Sequence, residues 1–223
     1  MNLIVTGASR GIGLELVSQA LTANHNVIAV ARNLNKAKEL KSLGEKYSSQ
    51  LQLVESDVTN PEAPAKVASA ASKWGQVDLL INNAGVYLHG ETAEDLMQSY
   101  QINTIAPFLM TKELLPLLKK SKAAKAVHVT SKMGSIDDNT SGGYYGYRSS
   151  KSALNMINKS LSIDNPWLST IVIHPGWVKT DMGGSGAAVE VADSASGIWK
   201  VINNLTTKDS GQFFDFTGKK INW

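Results

Sequence analysis

A tyrosine and a lysine placed four residues apart could supply acid–base chemistry. Tyr147 and Lys151 lie in the run Gly-Tyr-Tyr-Gly-Tyr-Arg-Ser-Ser-Lys of residues 143–151, and on a helix two such residues share one face. A free tyrosine has a pKa near 10, which is too high for efficient proton transfer at neutral pH. Because a neighbouring ammonium favours the phenolate, we expect Lys151 to lower the pKa of Tyr147. The pair would act as a general acid towards an oxygen that gains negative charge.

A serine upstream could assist this pair. Ser131 follows the apolar run at residues 126–130, so we expect it at the carboxyl end of a strand, where its hydroxyl could hydrogen-bond a substrate oxygen. Thr130 and Ser135 are neighbouring rivals for this role. An isolated serine at a strand end is more often a turn or cap residue.

A glycine-rich segment connects the first apolar run to a helical pattern. Residues 6–13 read Thr-Gly-Ala-Ser-Arg-Gly-Ile-Gly, with the spacing G-x-x-x-G-x-G. Glycines permit a tight turn and close approach of the backbone to a pyrophosphate, and the following helix N-terminus offers free N–H groups to an anion. A plain strand-to-helix turn is the alternative. The expected dinucleotide contacts here are Gly7, Ser9, Arg10, Gly11, Ile12 and Gly13.

Two arginines indicate which dinucleotide would bind. Sites selective for NAD usually carry an acid about 20 residues beyond the glycine loop, to hold the ribose 2′-hydroxyl. In this chain no acid follows the second apolar run until Glu39, whereas Arg32 ends that run and Arg10 lies in the loop. A guanidinium binds phosphate well. The two arginines therefore favour NADP(H), with NAD(H) possible and two ordinary surface arginines as the alternative.

Apolar runs that alternate with helical patterns predict how these residues are positioned. Uninterrupted apolar strands, each followed by a helix, indicate an α/β fold with a doubly wound (Rossmann) parallel sheet of about seven strands and helices on both faces. No change in composition marks a second domain, so we expect one domain over residues 1–223. Predicted strands are residues 3–5, 27–30, 51–54, 77–81, 126–130, 170–173 and, at an edge, 212–214. Predicted helices are residues 13–23, 35–47, 61–73, 94–121, 147–164 and 189–204.

Composition excludes several other classes. The chain has no cysteine, which excludes disulfides and thiolate metal sites. The four histidines have no metal-ligand spacing, and no basic stripe suggests nucleic acid, so we expect neither a metal nor a nucleic-acid partner. No apolar stretch is long enough to span a membrane, and residues 1–7 do not resemble a signal peptide. A cytoplasmic location is the default expectation.

The motifs occur in an order that resembles a known family. Gly7-x3-Gly11-x-Gly13, Asn82-Asn83-Ala84-Gly85, Ser131, Tyr147-x3-Lys151 and Pro175-Gly176 follow one another along nearly the whole chain. Together they resemble the short-chain dehydrogenase/reductase family. Residues 142–144, 147–155 and 175–184 are most similar to its C-factor and sniffer-type carbonyl reductase branch.

The resemblance implies a catalytic role for four residues. Tyr147 would be the general acid/base, and Lys151 would hold the nicotinamide ribose and lower the pKa of Tyr147. Ser131 would orient and polarise the substrate carbonyl. Asn103 falls where the family has an asparagine in a kinked helix, whose backbone would hold a water that relays protons to Lys151.

The resemblance also implies further cofactor contacts. Asn83, Ala84 and Gly85 would close the adenosine side of the cleft. Asp57, with Val58 after it, resembles the residue that binds the adenine amino group, although a helix cap before Pro61 is an equal alternative. Thr180 would contact the nicotinamide carboxamide beside the backbone of Val178, and the family's Pro-Gly segment corresponds to Pro175 and Gly176.

The sequence therefore predicts an NADPH-dependent enzyme that reduces a small ketone or aldehyde, and whose short, glycine-rich segment after Thr180 would form a lean substrate lid. Two alternatives stay open. One is a dinucleotide-binding signalling protein of the C-factor type with little turnover, and the other is a pterin or quinone reductase that uses the same pair. By resemblance we also expect a homo-oligomer, a dimer or tetramer, formed through the long helices at residues 94–121 and 147–164.

Overall fold

A computed structural model describes all 223 residues and shows one parallel sheet of seven strands in the order β3-β2-β1-β4-β5-β6-β7. The predicted fold class is confirmed, and the short seventh strand lies at the edge as expected. The strands are β1 (Asn2–Thr6), β2 (Asn26–Ala31), β3 (Leu51–Glu55), β4 (Leu79–Asn82), β5 (Lys125–Val129), β6 (Ser169–His174) and β7 (Phe213–Asp215).

Helices cover both faces of the sheet because successive strand side chains alternate between two apolar cores. Val5 of β1 packs in the core under α1, α2 and α7, whereas its neighbour Ile4 packs in the core under α3 and α5. None of the helices combines the length and the apolar character that crossing a bilayer requires. The helices are α1 (Gly11–Thr22), α2 (Lys38–Lys46), α3 (Ala63–Ser72), α4 (Ala93–Tyr100), α5 (Ala106–Leu118), α6 (Tyr145–Asp164) and α7 (Val191–Asn204).

The helix predicted at residues 94–121 is interrupted in its middle. A π-helical turn, Gln101–Ile105, joins α4 to α5. Such turns accommodate one extra residue in an α-helix and are frequent at functional sites. The turn carries Asn103 at its centre, so the kink that the resemblance implied is present in the structure.

The outer edge of strand β7 is hydrogen-bonded to a later segment of the chain. Residues after it fold back antiparallel, so that the N–H of Asp215 donates to the carbonyl of Lys219 (2.8 Å) and the N–H of Ile221 donates to the carbonyl of Phe213 (2.9 Å). The ring of Trp223 then stacks on that of Phe213, with centroids 5.8 Å apart. This return segment covers the outer side of the last strand.

The start of α1 lies unusually close to the end of β4. Asn83 follows β4, and its side-chain amide donates to the carbonyl oxygens of both Thr6 and Gly7 at 3.0 Å. At Gly13, in the first turn of α1, a Cβ would overlap the Gly7 carbonyl and the Asn83 amide. Only glycine permits this approach.

We therefore expect Gly13→Ala to lower the free energy of unfolding by about 1–3 kcal/mol, the usual cost of overpacking. Gly44→Ala is the matched control because Gly44 also lies in a helix, and its Cβ would meet only the side chain of Leu53, at 3.3 Å. That control should be neutral or stabilising by up to roughly 1 kcal/mol, since alanine favours helix. Urea unfolding measures both, and equal effects of the two substitutions would contradict the packing argument.

Candidate active site

Most of the expected cofactor contacts, together with Tyr147 and Lys151, line one cleft at the carboxyl ends of the strands, and Ser131 and Asn103 are buried beside it. Its volume is about 570 Å³, within the range of roughly 300–1,000 Å³ that small-molecule sites occupy. Parallel sheets of this type bind ligands at this edge. The predicted cofactor contacts that line the cleft are Gly7, Ser9, Arg10, Gly11, Ile12, Gly13, Arg32, Asp57, Val58, Asn83, Ala84, Gly85, Tyr147, Lys151, Pro175 and Thr180.

The glycine loop forms an anion site at one end of the cleft. Gly7 and Gly11 have positive φ angles of 66° and 57°, which glycine adopts at no steric cost. The extended N-cap residue Arg10 makes no side-chain cap, and the first turn of α1 carries no acid. The free N–H groups of that turn and the helix dipole therefore suit a phosphate group. These residues fit a dinucleotide pyrophosphate.

Thr6 supports this loop, although the sequence analysis did not single it out. Its hydroxyl oxygen accepts from the N–H groups of Asn83 (3.1 Å) and Ala84 (3.2 Å). Thr6 and Asn83 together join the end of β1 to the end of β4. The Asn83 side chain thus holds the glycine loop, in addition to lining the cleft where the resemblance placed it.

Tyr147, Lys151 and Ser131 lie together at the other end of the cleft, each no more than 8% exposed. The Lys151 ammonium is 5.9 Å from the centroid of the Tyr147 ring and donates to the carbonyl oxygen of Val129 at 2.9 Å. The Ser131 hydroxyl oxygen accepts from the N–H of Met133 at 3.1 Å. Its own proton stays available for a bond towards the Tyr147 phenol.

The two rivals of Ser131 are engaged elsewhere. Thr130 lines the cleft, but its hydroxyl donates to the side-chain carbonyl of Asn155 in α6 at 2.9 Å. The Ser135 hydroxyl oxygen accepts from the N–H of Asp138 at 3.2 Å and caps a turn. Of the three hydroxyls, Ser131 alone forms a hydrogen bond that affects the pKa of Tyr147.

The expected net lowering of the pKa of Tyr147 is not found. Burial raises the pKa of Tyr147, and the hydrogen bond from Ser131 opposes that rise only in part. Burial also lowers the pKa of Lys151, to about 8. Loss of water disfavours the charged form of both groups. In the net shift of the Tyr147 pKa, burial outweighs any stabilisation of the phenolate by the nearby ammonium.

Asn103 connects the π-helical turn to both walls of the site and is fully buried. Its side-chain amide donates to the carbonyl of Val86 (3.0 Å) and to the hydroxyl of Ser150 (3.1 Å), while its oxygen accepts from the N–H of Val86 (2.9 Å). The sequence analysis missed Ser150, which lies beside Lys151 in the chain. The hydroxyl of Thr104 also donates to the Ser150 carbonyl, at 2.7 Å. These bonds fix the second turn of α6.

Two predicted contacts in the Pro-Gly segment do not line the cleft. Gly176 has φ 88°, and a Cβ there would lie 2.9 Å from the ring of Phe216, so this turn packs against the fold behind the cleft. The Val178 side chain is only 4% exposed. The Val178 N–H donates to no protein group, so backbone contact stays possible at that residue.

The charged residues at the adenine end are arranged differently from expectation. Arg10 is paired with Asp181, with its Nη1 2.5 Å from the carboxylate. One oxygen of Asp57 accepts from the N–H (2.9 Å) and the hydroxyl (2.8 Å) of Thr59, so Asp57 caps a turn and not the helix α3, whose N-cap is Glu62. Glu39 lines the cleft together with Arg32. Asp181 was missed because no local pattern links it to Arg10.

Aromatic side chains form a wall beside Tyr147. The Tyr87 ring lies 4.7 Å from that of Tyr147 and 5.3 Å from that of Tyr144. His89 contacts Tyr87 edge-on at 4.7 Å. Burial and a hydrogen bond with Tyr144 raise the pKa of Tyr87 to about 12, so its hydroxyl is neutral over the physiological range. No group of three or more histidine or acidic side chains is arranged to hold a metal ion.

The family model for short chain dehydrogenases matches residues 1–191. This match covers most of the chain, and its fold and motif residues agree with it. The chain therefore belongs to the short-chain dehydrogenase/reductase family and is an oxidoreductase of that class.

Three proteins illustrate the likeness. The chain is 43% identical to the C-signal protein of Myxococcus xanthus over 156 residues, which covers 67% of this chain and 94% of that protein. It is 37% identical to an NADPH-bound carbonyl reductase from chicken fatty liver, with a TM-score of 0.94 and coverage of 100% and 98%. It is 35% identical to the carbonyl reductase Sniffer of D. melanogaster, with a TM-score of 0.95 and coverage of 100% and 99%. The predicted C-factor and sniffer branch is thus confirmed.

The lowered pKa of Lys151 makes stability depend on pH. The folded protein has a Lys151 pKa of about 8, against an ordinary value of 10.5. Between these values the unfolded chain binds more protons, so the free energy of unfolding rises with pH. Relative to Lys151→Met, which lacks this titration, the wild type should gain up to about 1.4 kcal/mol per pH unit above pH 8.

Urea unfolding of both proteins from about pH 7 to about pH 10 measures this difference. Tyr147 is present in both proteins, so the pH dependence that its raised pKa contributes cancels in the comparison. A stability difference that stayed constant over this range would show that the Lys151 ammonium is not destabilised by burial.

Proposed function

We propose that the protein is an NADP(H)-dependent carbonyl reductase that converts a ketone or aldehyde to an alcohol by hydride transfer. The observation that carries this proposal is that Tyr147 and Lys151 line a cleft whose far end is an anion-binding glycine loop, with Ser131 hydrogen-bonded to Tyr147 beside it. The names of the two similar carbonyl reductases, one of them bound to NADPH, support the same reaction and cofactor. A nicotinamide cofactor supplies the hydride when bound.

The protein supplies the proton and stabilises charge. Burial keeps the pKa of Tyr147 high, so the phenol is protonated at neutral pH and can act as the general acid. Ser131 would hold and polarise the substrate oxygen, an oxyanion-type contribution. As the proton leaves Tyr147, the Lys151 ammonium, 5.9 Å from its ring centroid, would stabilise the phenolate. The buried Asn103 would hold the π-helical turn in place, and its backbone would hold a water that relays protons to Lys151.

Arg10, Arg32 and the loop residues around them would bind the adenosine half. Arg10 in the glycine loop and Arg32 after the end of β2 both line the cleft, and their guanidinium groups could bind a 2′-phosphate. Asp57 and Val58 would face the adenine, and Ala84 and Gly85 would close this half of the cleft. At the nicotinamide end, Thr180 and the backbone of Val178 would hold the carboxamide, and Pro175 lines the same cleft.

Tyr147→Phe should reduce turnover of a ketone or aldehyde by at least about 10²–10⁴-fold, the usual contribution of general acid catalysis. NADPH affinity should change little, because the phenol acts on the substrate oxygen. Steady-state rates across a carbonyl panel and a fluorescence titration with NADPH measure the two effects. Full activity of the Phe variant would remove Tyr147 from the mechanism.

The double variant Arg10→Ala/Arg32→Ala tests cofactor choice. Wild-type protein should prefer NADPH to NADH, and the double variant should lose that preference, because neither guanidinium remains to bind the 2′-phosphate. Titration with both dinucleotides, followed by nicotinamide fluorescence, gives the ratio of dissociation constants. A preference for NADH in the wild type would contradict the roles of the two arginines and leave the chemistry of Tyr147 untouched.

Two observations favour particular alternatives. The 43% identity to C-signal favours a signalling protein that binds a dinucleotide with little turnover. NADPH binding without reduction of any carbonyl in the panel would favour that function.

The aromatic wall of Tyr87 and Tyr144 beside Tyr147 suits a flat conjugated substrate, which favours the quinone or pterin reductase alternative. Faster reduction of quinones and pterins than of simple ketones would identify it.

Association and location stay predictions. Exposed apolar side chains lie at helical spacing on α4–α5 (Met97, Ile105 and Leu109) and on α6 (Met156 and Ile163). These faces offer a surface for a second copy of the chain in the expected homo-oligomer. The cytoplasmic location expected from the sequence is untested.

A further inference from the structure

One charged contact crosses the mouth of the cleft. Arg10 projects from the glycine loop and pairs with Asp181, which follows Thr180 in the lid segment. The two residues are 171 positions apart in the chain, and both side chains are about three-quarters exposed. The pair therefore bridges two independent segments that would both contact the cofactor.

The surrounding packing shows that these segments meet directly. A Cβ on Gly11 would lie 3.2 Å from the Thr180 side chain, so the glycine loop and the lid segment touch beside the ion pair. The Thr180 hydroxyl oxygen accepts from the N–H of Gly183 at 3.1 Å, which ties the lid segment into a turn. The Asp181 carboxylate is thus held within reach of Arg10 by the local fold.

We propose that Asp181 is a specificity-determining residue that weakens NADPH binding by competing with the 2′-phosphate for Arg10. This inference rests on the proposed function, in which Arg10 binds that phosphate. To bind the 2′-phosphate, the Arg10 guanidinium must either leave the Asp181 carboxylate or bind both anions at once. If it leaves, the ion pair is lost on binding, and if it binds both, two anions lie on one cation and repel each other.

Both routes weaken the binding of NADPH. They do not affect the binding of NADH, which carries a hydroxyl where NADPH carries the 2′-phosphate. An exposed ion pair of this kind changes an equilibrium by no more than about fivefold. The effect of Asp181 is therefore a modest adjustment of cofactor choice, which would allow the protein to use NADH when NADPH is scarce.

Asp181→Asn should lower the dissociation constant for NADPH by about two- to fivefold and leave that for NADH unchanged. In an Arg10→Ala background the same substitution should change neither dissociation constant, because the guanidinium for which the carboxylate and the phosphate compete is absent. Nicotinamide fluorescence titrations of the wild type, both single variants and the double variant give the complete cycle. Raising the salt concentration should reduce the effect of Asp181→Asn, since the charges are exposed.

Asp138→Asn is the matched control. Asp138 forms an exposed ion pair with Lys132, and neither residue lines the cleft, so this variant removes the same unit of charge without affecting Arg10. It should leave the ratio of the NADPH and NADH constants at the wild-type value.

Three results would overturn the inference. Equal tightening of both dinucleotides would show that Asp181 acts on the pyrophosphate that they share. Weaker NADPH binding by Asp181→Asn would show that the carboxylate positions Arg10 for the phosphate, and no change would show that the two anions do not compete. Binding of neither dinucleotide by the wild type would instead contradict the proposed function itself.

Discussion

The ammonium group of Lys151 lies inside the protein, and its hydrogen-bond partner there is the carbonyl oxygen of Val129, 2.9 Å away. Burying a charge with so few hydrogen-bond partners costs folding free energy. Two glycines beside the Lys151 side chain leave space for it. A Cβ on Gly85 would approach the ammonium to 3.5 Å, and one on Gly134 would lie 2.8 Å from the Lys151 Cβ. The sheet, the loop after β4 and the turn after β5 are therefore all constrained by one side chain.

Each end of the cleft is held by its own set of hydrogen bonds. At the adenine end, Thr6 and Asn83 join neighbouring strands and hold the glycine loop by hydrogen bonds between 3.0 and 3.2 Å. At the reacting end, Asn103 and Ser150 join the π-helical turn to α6, which presents Tyr147 and Lys151 on one face. Preorganised groups of this kind stabilise developing charge without rearrangement during the reaction.

Patterns that depend on local backbone geometry were predictable from the sequence. The glycine spacing requires a tight turn, and the four-residue spacing of Tyr147 and Lys151 requires a shared helical face; the structure shows both. The direction of the Tyr147 pKa was not predictable, because burial is a property of the assembled fold. The pairing of Arg10 with Asp181 joins distant parts of the chain, and the π-helical turn around Asn103 leaves no mark on apolar periodicity.

The return segment at the outer side of β7 also affects how the sheet meets other molecules. An uncovered edge strand can recruit a strand from another chain and seed edge-to-edge aggregation. Here the backbone of Phe213 and Asp215 is already bonded to residues 219–221, and Trp223 shields the same side. Strand addition is thus blocked on this flank, whereas β3 forms the opposite edge with the charged Glu55 exposed at its end. Growth of the sheet into a continuous intermolecular array is disfavoured at both ends.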